Sequence, residues 1–223
     1  MKSDPVTVNK KVIEEEIFYQ NTLVLSYRIE YPQFEGFYHE KVLEALNHYY
    51  KAKALKKQQE FEQTMYWDAV NHYKESLANQ FPFHMHEALM VYEITYNKNC
   101  AISIYFDTYK YTGGAHGITL RDSDTWALER GKPINLYDLI PDRTFAINMI
   151  NKQITTQISH GEDWYFENYV ALVNQNFNPQ SFYLHPAGVA LYFQQYDIAP
   201  YSSGIPVFIL PWEQRVREPR WCK

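Results

Sequence analysis

The sequence predicts an α+β fold, and three observations carry that reading. From Phe37 to Gln80 there is no proline or glycine, and Ala, Leu, Lys, Glu and Gln dominate, the composition of a long helix. On both sides lie runs of β-branched and aromatic residues bounded by turn formers, the mark of antiparallel strands. The chain has 223 residues, 46% of them hydrophobic, enough for one large domain or two small ones with a true core.

Taken in order, residues 1–10 read as a polar arm. Val12–Tyr19 and Leu23–Tyr31 flank Gln20-Asn21-Thr22 and form a hairpin. Leu23, Leu25, Tyr27, Ile29 and Tyr31 alternate with mostly polar residues and give it one buried face, which Pro32 ends. In the helical region Val42, Leu46, Tyr49 and Tyr50 form one stripe, and Phe61, Met65, Ala69, Tyr73 and Leu77 another at a spacing of four. A straight helix of this length would span ~65 Å, so a bend, a break or a projecting middle is expected. Leu89–Tyr96 is a strand, Asn97-Lys98-Asn99 a turn, and Cys100–Tyr111 the returning strand. The domain boundary falls between residues 85 and 100, giving 1–95 and 96–223.

In the second half Ile118–Leu128 is a strand. A helix over Thr144–Ile158 follows, with Asp142 as its N-terminal cap. Trp164–Asn174 is a second helix. Phe182–Leu184 and Val189–Gln194 form a hairpin, and Val207–Leu210 is the last strand.

The net charge of −5 disfavours nucleic acid and anionic membranes, which reward a basic face. It leans instead toward a basic partner. No run approaches the ~20 apolar residues needed to cross a bilayer. No secretory pattern opens the chain, so the expected location is cytoplasmic. Two cysteines, Cys100 and Cys222, make no disulfide framework. Cys100 reads as a small buried hydrophobe in a strand and Cys222 as mobile, with a bridge between them possible in principle.

Two stretches are candidate ligand-binding segments. Tyr111-Thr112-Gly113-Gly114-Ala115-His116-Gly117 interrupts two strands and would present Tyr111 and His116 beside backbone at Gly113 and Gly114, or else simply let the sheet turn. Its spacing is neither that of a phosphate loop nor of a dinucleotide fingerprint, and no cofactor is expected. Tyr196–Pro206 is a stiff aromatic loop. Tyr196 and Tyr201 either offer a binding surface or sit in a corner where Tyr201 bonds backbone.

Other chemistries are weaker. His84-Met85-His86 with Glu87 would begin a zinc site, but a third ligand at signature spacing is missing, so no metal is expected. Ser202-Ser203-Gly204 is not a nucleophile elbow. Asp107, Asp122, Asp124 and Asp197 lie near the two loops, where carboxylates ~5–9.5 Å apart would suit glycosyl hydrolysis. The alternative is that they cap turns.

The glycine-rich block, Phe182–Val189 and Tyr196–Pro206 resemble, in order and spacing, three blocks of the RsiV-type domain family, whose namesake is a lysozyme-sensing anti-sigma factor. The first half resembles the companion domain also found at the N-terminus of a peptidoglycan deacetylase, which keeps its catalysis in a separate domain. The resemblance implies a C-terminal part like the small subdomain of the Hsp70-type ATPase, without ATPase machinery. It also implies a non-enzymatic binding or sensing module for lysozyme or a cell-wall component. The alternatives are a glycan- or peptide-acting hydrolase using Asp107, His116 and Asp124, and an intracellular scaffold presenting the long helix.

Overall fold

The computed structural model describes residues 5–36, 39–140, 142, 146–213, 215–220 and 222. The fold is mixed α+β, with mostly antiparallel sheets and a long helix in the N-terminal half. The chain forms two compact units. The N-terminal unit comprises Val6–Tyr92 and Phe106–Leu120, and the C-terminal unit is built on Glu93–Tyr105 and Arg121–Lys223. Where the sequence suggests one cut at 95/96, the chain passes between units at 5/6, 92/93, 105/106 and 120/121.

In the N-terminal unit, β1 (Thr7–Tyr19) and β2 (Thr22–Glu35) form the expected hairpin. Its two turn residues, Gln20 and Asn21, both have positive φ, 46° and 64°, which matches the twist of the flanking strands. The strands run further than the sequence suggests. Residues 7–10, read as an arm, pair with Gln33, Pro32, Phe34 and Glu35. Pro32 does not end β2. Beyond Ile29 that strand has a partner on one side only, the edge condition under which proline is tolerated. The burial also changes phase there: Leu25, Tyr27 and Ile29 are buried, then Glu30, Pro32 and Phe34, while Tyr31 is only half-buried.

The helical region comprises α1 (Glu40–Glu60), a π-helical turn at Phe61–Met65, and α2 (Tyr66–Asn79). The π turn answers the stripe read from sequence. At 3.6 residues per turn, side chains four apart drift around the helix by about 40° per step. A wider turn resets that drift, so Phe61, Met65 and Ala69 all stay buried. Beyond it the drift resumes: Leu77 is 61% exposed, and Val70 and Ser76 take the inward places. In the earlier stripe Leu46 and Tyr50 are buried, whereas Tyr49 faces out and Leu43 and Ala54 face in. Tyr50 stacks on Phe106 at 5.5 Å and meets Phe34 at 5.6 Å. The long helix is a crossover: it returns the chain so that β3 (His86–Lys98) pairs with β2 in parallel, Leu25 opposite His86 through Ile29 opposite Met90.

Strands β3, β4 (Ala101–Tyr111) and β5 (Ile118–Ala127) each contribute a segment to both units, and β6 (Lys132–Pro133) completes the order β1-β2-β3-β4-β5-β6. Cys100 is not in the strand. It and Asn99 form the two-residue turn, with φ of 57° and 56°. Cys100 is buried as expected, and it is bonded to Cys222, so the penultimate residue is tethered rather than mobile.

The C-terminal unit contains the one-turn helix α3 (Leu136–Leu139), α4 (Ala146–Ile158) and α5 (Tyr169–Asn176), with a second sheet of β7 (Phe182–His185), β8 (Gly188–Tyr192) and β9 (Val207–Pro211). The expected start of α4 at Thr144 lies outside the described residues. Ala146, Ile150, Ile154 and Ile158 of α4 share a core with Leu184, Val189, Leu191 and Phe208. Gln157 clamps the helix to β9 by giving its amide proton to the Ile209 carbonyl and accepting from the Ile209 N–H. The small sheet is tied to β4 and β5 through Ser103 Oγ, which accepts from Leu184 N at 2.9 Å and pairs with Thr125. Among the described residues no helix is long and apolar enough to cross a membrane.

Candidate functional site

In the N-terminal unit the glycine block follows β4. Gly113 has φ +88°, and a Cβ built on it would lie 2.2 Å from His72 Cε1. Only glycine fits both the left-handed backbone and the close approach of that imidazole. Gly117 is buried for a similar reason, with Tyr109 ring atoms and the Lys110 carbonyl within 2.5 Å of a notional Cβ. Gly114 meets nothing within 4 Å, so no close approach of a neighbour requires glycine there. Tyr111 is half-buried at the end of β4. His116 is exposed, its Nδ1 3.1 Å from the Gly117 carbonyl oxygen.

His72 of α2 is therefore what the glycine loop packs on. It also faces His86, Nδ1 to Nε2 at 3.2 Å, between Phe81 and Phe83. His86 is 2% exposed, and its Nδ1 has no hydrogen-bond partner. Burial, and then the charge of His72, hold its pKa below the ordinary histidine range. Asp68 and the backbone at Met65 and Thr112 pull upward by less. The His-x-His pairing suggested by sequence does not form. His84 is exposed and precedes β3, whereas His86 turns inward to a histidine the sequence reading passed over. Among the described residues no group of three or more His, Cys, Asp or Glu side chains is placed to hold a metal ion.

In the C-terminal unit Tyr196 and Tyr201 come together, with rings 6.0 Å apart. Tyr196 is half-exposed at φ +68°, and Tyr201 begins a 3-10 turn, Tyr201–Ser203, closed by Gly204 N donating to its carbonyl. Ser203 Oγ donates to the Trp164 carbonyl at 2.8 Å, which pins this loop to a second 3-10 turn at Glu162–Trp164. A hollow of about 540 Å³ lies there, lined by Gln157, His160, Trp164, Tyr165, Ser202 and Pro206 among others. Trp164 is 65% exposed although its backbone is fixed on the loop. Tyr165 packs on Phe208, and burial raises its pKa, so it stays a neutral hydroxyl. No lysine, arginine or carboxylate lines the hollow among the described residues. An exposed indole with hydroxyl, imidazole and amide groups around it suits an uncharged ligand with one apolar face.

The carboxylates read from sequence divide. Asp107 is in the N-terminal unit, as is His116, while Asp122, Asp124 and Asp197 are in the C-terminal unit. Asp197 Oδ2 accepts from Gln194 N at 2.8 Å, a turn-capping contact. Burial raises its pKa against that bond. Ser203 is committed to Trp164.

The reading from sequence missed His72 and Trp164. Nothing local marked His72, whose partners come from β3 and the glycine loop. Trp164 stood at the start of an expected helix over 164–174, but α5 begins only at Tyr169. The spacer Gly161 was the available signal that a turn, and not a helix, carries that indole.

Residues 19–119 match the family model described as Deacetylase PdaC, and residues 137–213 match that of Protein of unknown function (DUF3298). No curated protein matches the chain. A DUF3298 family member from Bacteroides fragilis is 17% identical with a TM-score of 0.71, over 96% of this chain and 94% of that one. A DUF3298 family protein from Pseudomonas aeruginosa is 16% identical with a TM-score of 0.60, over 93% and 91%. At such identity the likeness speaks for the fold alone. The chain thus has a PdaC-like segment over residues 19–119, followed by a DUF3298-like segment over residues 137–213.

Proposed function

We propose that the chain is a non-catalytic binding module that holds an uncharged stretch of cell-wall glycan at Trp164. The observation that carries this is the exposed indole on a pinned turn beside a hollow that no lysine, arginine or carboxylate lines among the described residues. An N-acetylhexosamine ring has one face of C–H bonds, which packs on indole, and a polar edge, which Ser202, His160 and Tyr165 would meet. The resemblance to the companion domain of a peptidoglycan deacetylase supports the same class of ligand. The Cys100–Cys222 bridge favours an oxidising compartment, where such a polymer would be met, over the cytoplasm.

The test is calorimetric titration with chitohexaose. Binding that Trp164→Ala abolishes in a folded protein is the expected result, and heat unchanged in that variant would sink the assignment. A second reading, a lysozyme as partner, rests on the net charge of −5 and the RsiV-type resemblance. It expects salt-dependent binding to a c-type lysozyme with loss of muramidase activity, measured alongside.

A further inference from the structure

We propose that the N-terminal unit holds a separate anion site, built by Lys11, Tyr31, His48 and Lys51 and suited to a phosphate group. It is independent of the glycan reading and lies on other elements.

Lys11 and Tyr31 stand directly opposite each other in β1 and β2. His48 and Lys51 are three apart on α1, hence neighbours on one helix face. The four line a hollow of about 270 Å³, together with Pro32, Gln33 and Asn47, and no carboxylate lines it among the described residues. In an acidic chain that selection of side chains is a local reversal of sign. Lys10, Lys57, Lys98 and Lys110 all ion-pair with glutamates. Lys11 and Lys51 have no ion pair among the described residues and point charge into the same space.

The frame is fixed. Asn47 accepts from Phe34 N at 2.7 Å and donates to the Phe34 carbonyl at 3.0 Å, locking α1 to the end of β2. His48 Nδ1 lies 2.8 Å from the Glu44 carbonyl, which can only accept, so Nδ1 carries the proton; Nε2 of the neutral ring is then an acceptor, which the P–O–H of a hydrogen phosphate would satisfy. The two lysine ammonium groups, the Tyr31 phenol and the Gln33 amide line the same hollow and can each donate to a bound anion. Lysine binds phosphate as a point charge, and a dianion gains more from two lysines than a carboxylate does.

The test is titration of the full chain with inorganic phosphate at constant ionic strength, read by calorimetry and by melting temperature. Acetate is the control for carboxylates and chloride for screening. Phosphate should bind and raise the melting temperature, and Lys11→Gln/Lys51→Gln should weaken binding by roughly tenfold or more. Both lysines are exposed, so the double variant should keep the wild-type melting temperature without phosphate. Equal phosphate binding by wild type and variant would overturn the site. An equal effect from chloride would reduce it to screening, and acetate matching phosphate would overturn the phosphate assignment.

Discussion

His72 and His86 share a single hydrogen bond: Nδ1 of one lies 3.2 Å from Nε2 of the other, so a neutral pair needs one proton between them and has no room for two charges. Because the pKa of His86 is lowered on folding, the unfolded chain takes up its proton first as pH falls through about 6.5. The neutral pair's contribution to stability is thus complete above that pH and is lost as pH drops toward the depressed folded value. Melting temperatures of wild type and His86→Phe between pH 8 and 5 check this. The wild type should fall further across that window, and parallel curves would refute the coupling.

The glycine block yields a paired prediction. Gly113→Ala forces a side chain onto a φ of +88° and into the His72 ring, and should destabilise by about 1–3 kcal/mol. Gly114→Ala meets open space and should stay within about 0.5 kcal/mol of wild type. Urea unfolding of both variants measures the difference.

The bridge between Cys100 and Cys222 closes a loop with a sequence separation of 122. Cys222→Ser should lower stability by about 2–5 kcal/mol. Reductant should bring the wild type down to the variant and leave the variant unmoved. A denaturant midpoint indifferent to reductant would count against the bond.

Phe61, fully buried at the start of the π turn, meets Tyr27 at 5.8 Å. Phe61→Ala should cost about 3–5 kcal/mol, and Phe61→Leu well under half of that. Chemical denaturation of the two variants checks the ratio.

What was legible in the sequence was what is decided locally. Gln20-Asn21 announced a tight hairpin because few residues accept positive φ, and residues 40–79 announced a helix by composition. The parallel pairing of β2 with β3 was not legible, since it is set by where the long helical crossover delivers the chain. The site divided the same way. Tyr196 and Tyr201 were visible as a stiff aromatic loop, whereas Trp164 is held by a hydrogen bond from Ser203, 39 residues away, which no local pattern marks. His72 gained its meaning from two segments remote in sequence.

The path of the chain bears on how this protein can be cut and inherited. Crossings at 92/93, 105/106 and 120/121, besides one at 5/6, weave the two units from one thread. A fragment ending at residue 95 would leave behind Phe106–Leu120, and with it the glycine that closes over His72. Neither half is a portable cassette. A cut at residue 95 that moved one half without the other would part β4 and β5 from β1–β3 of the same six-stranded sheet.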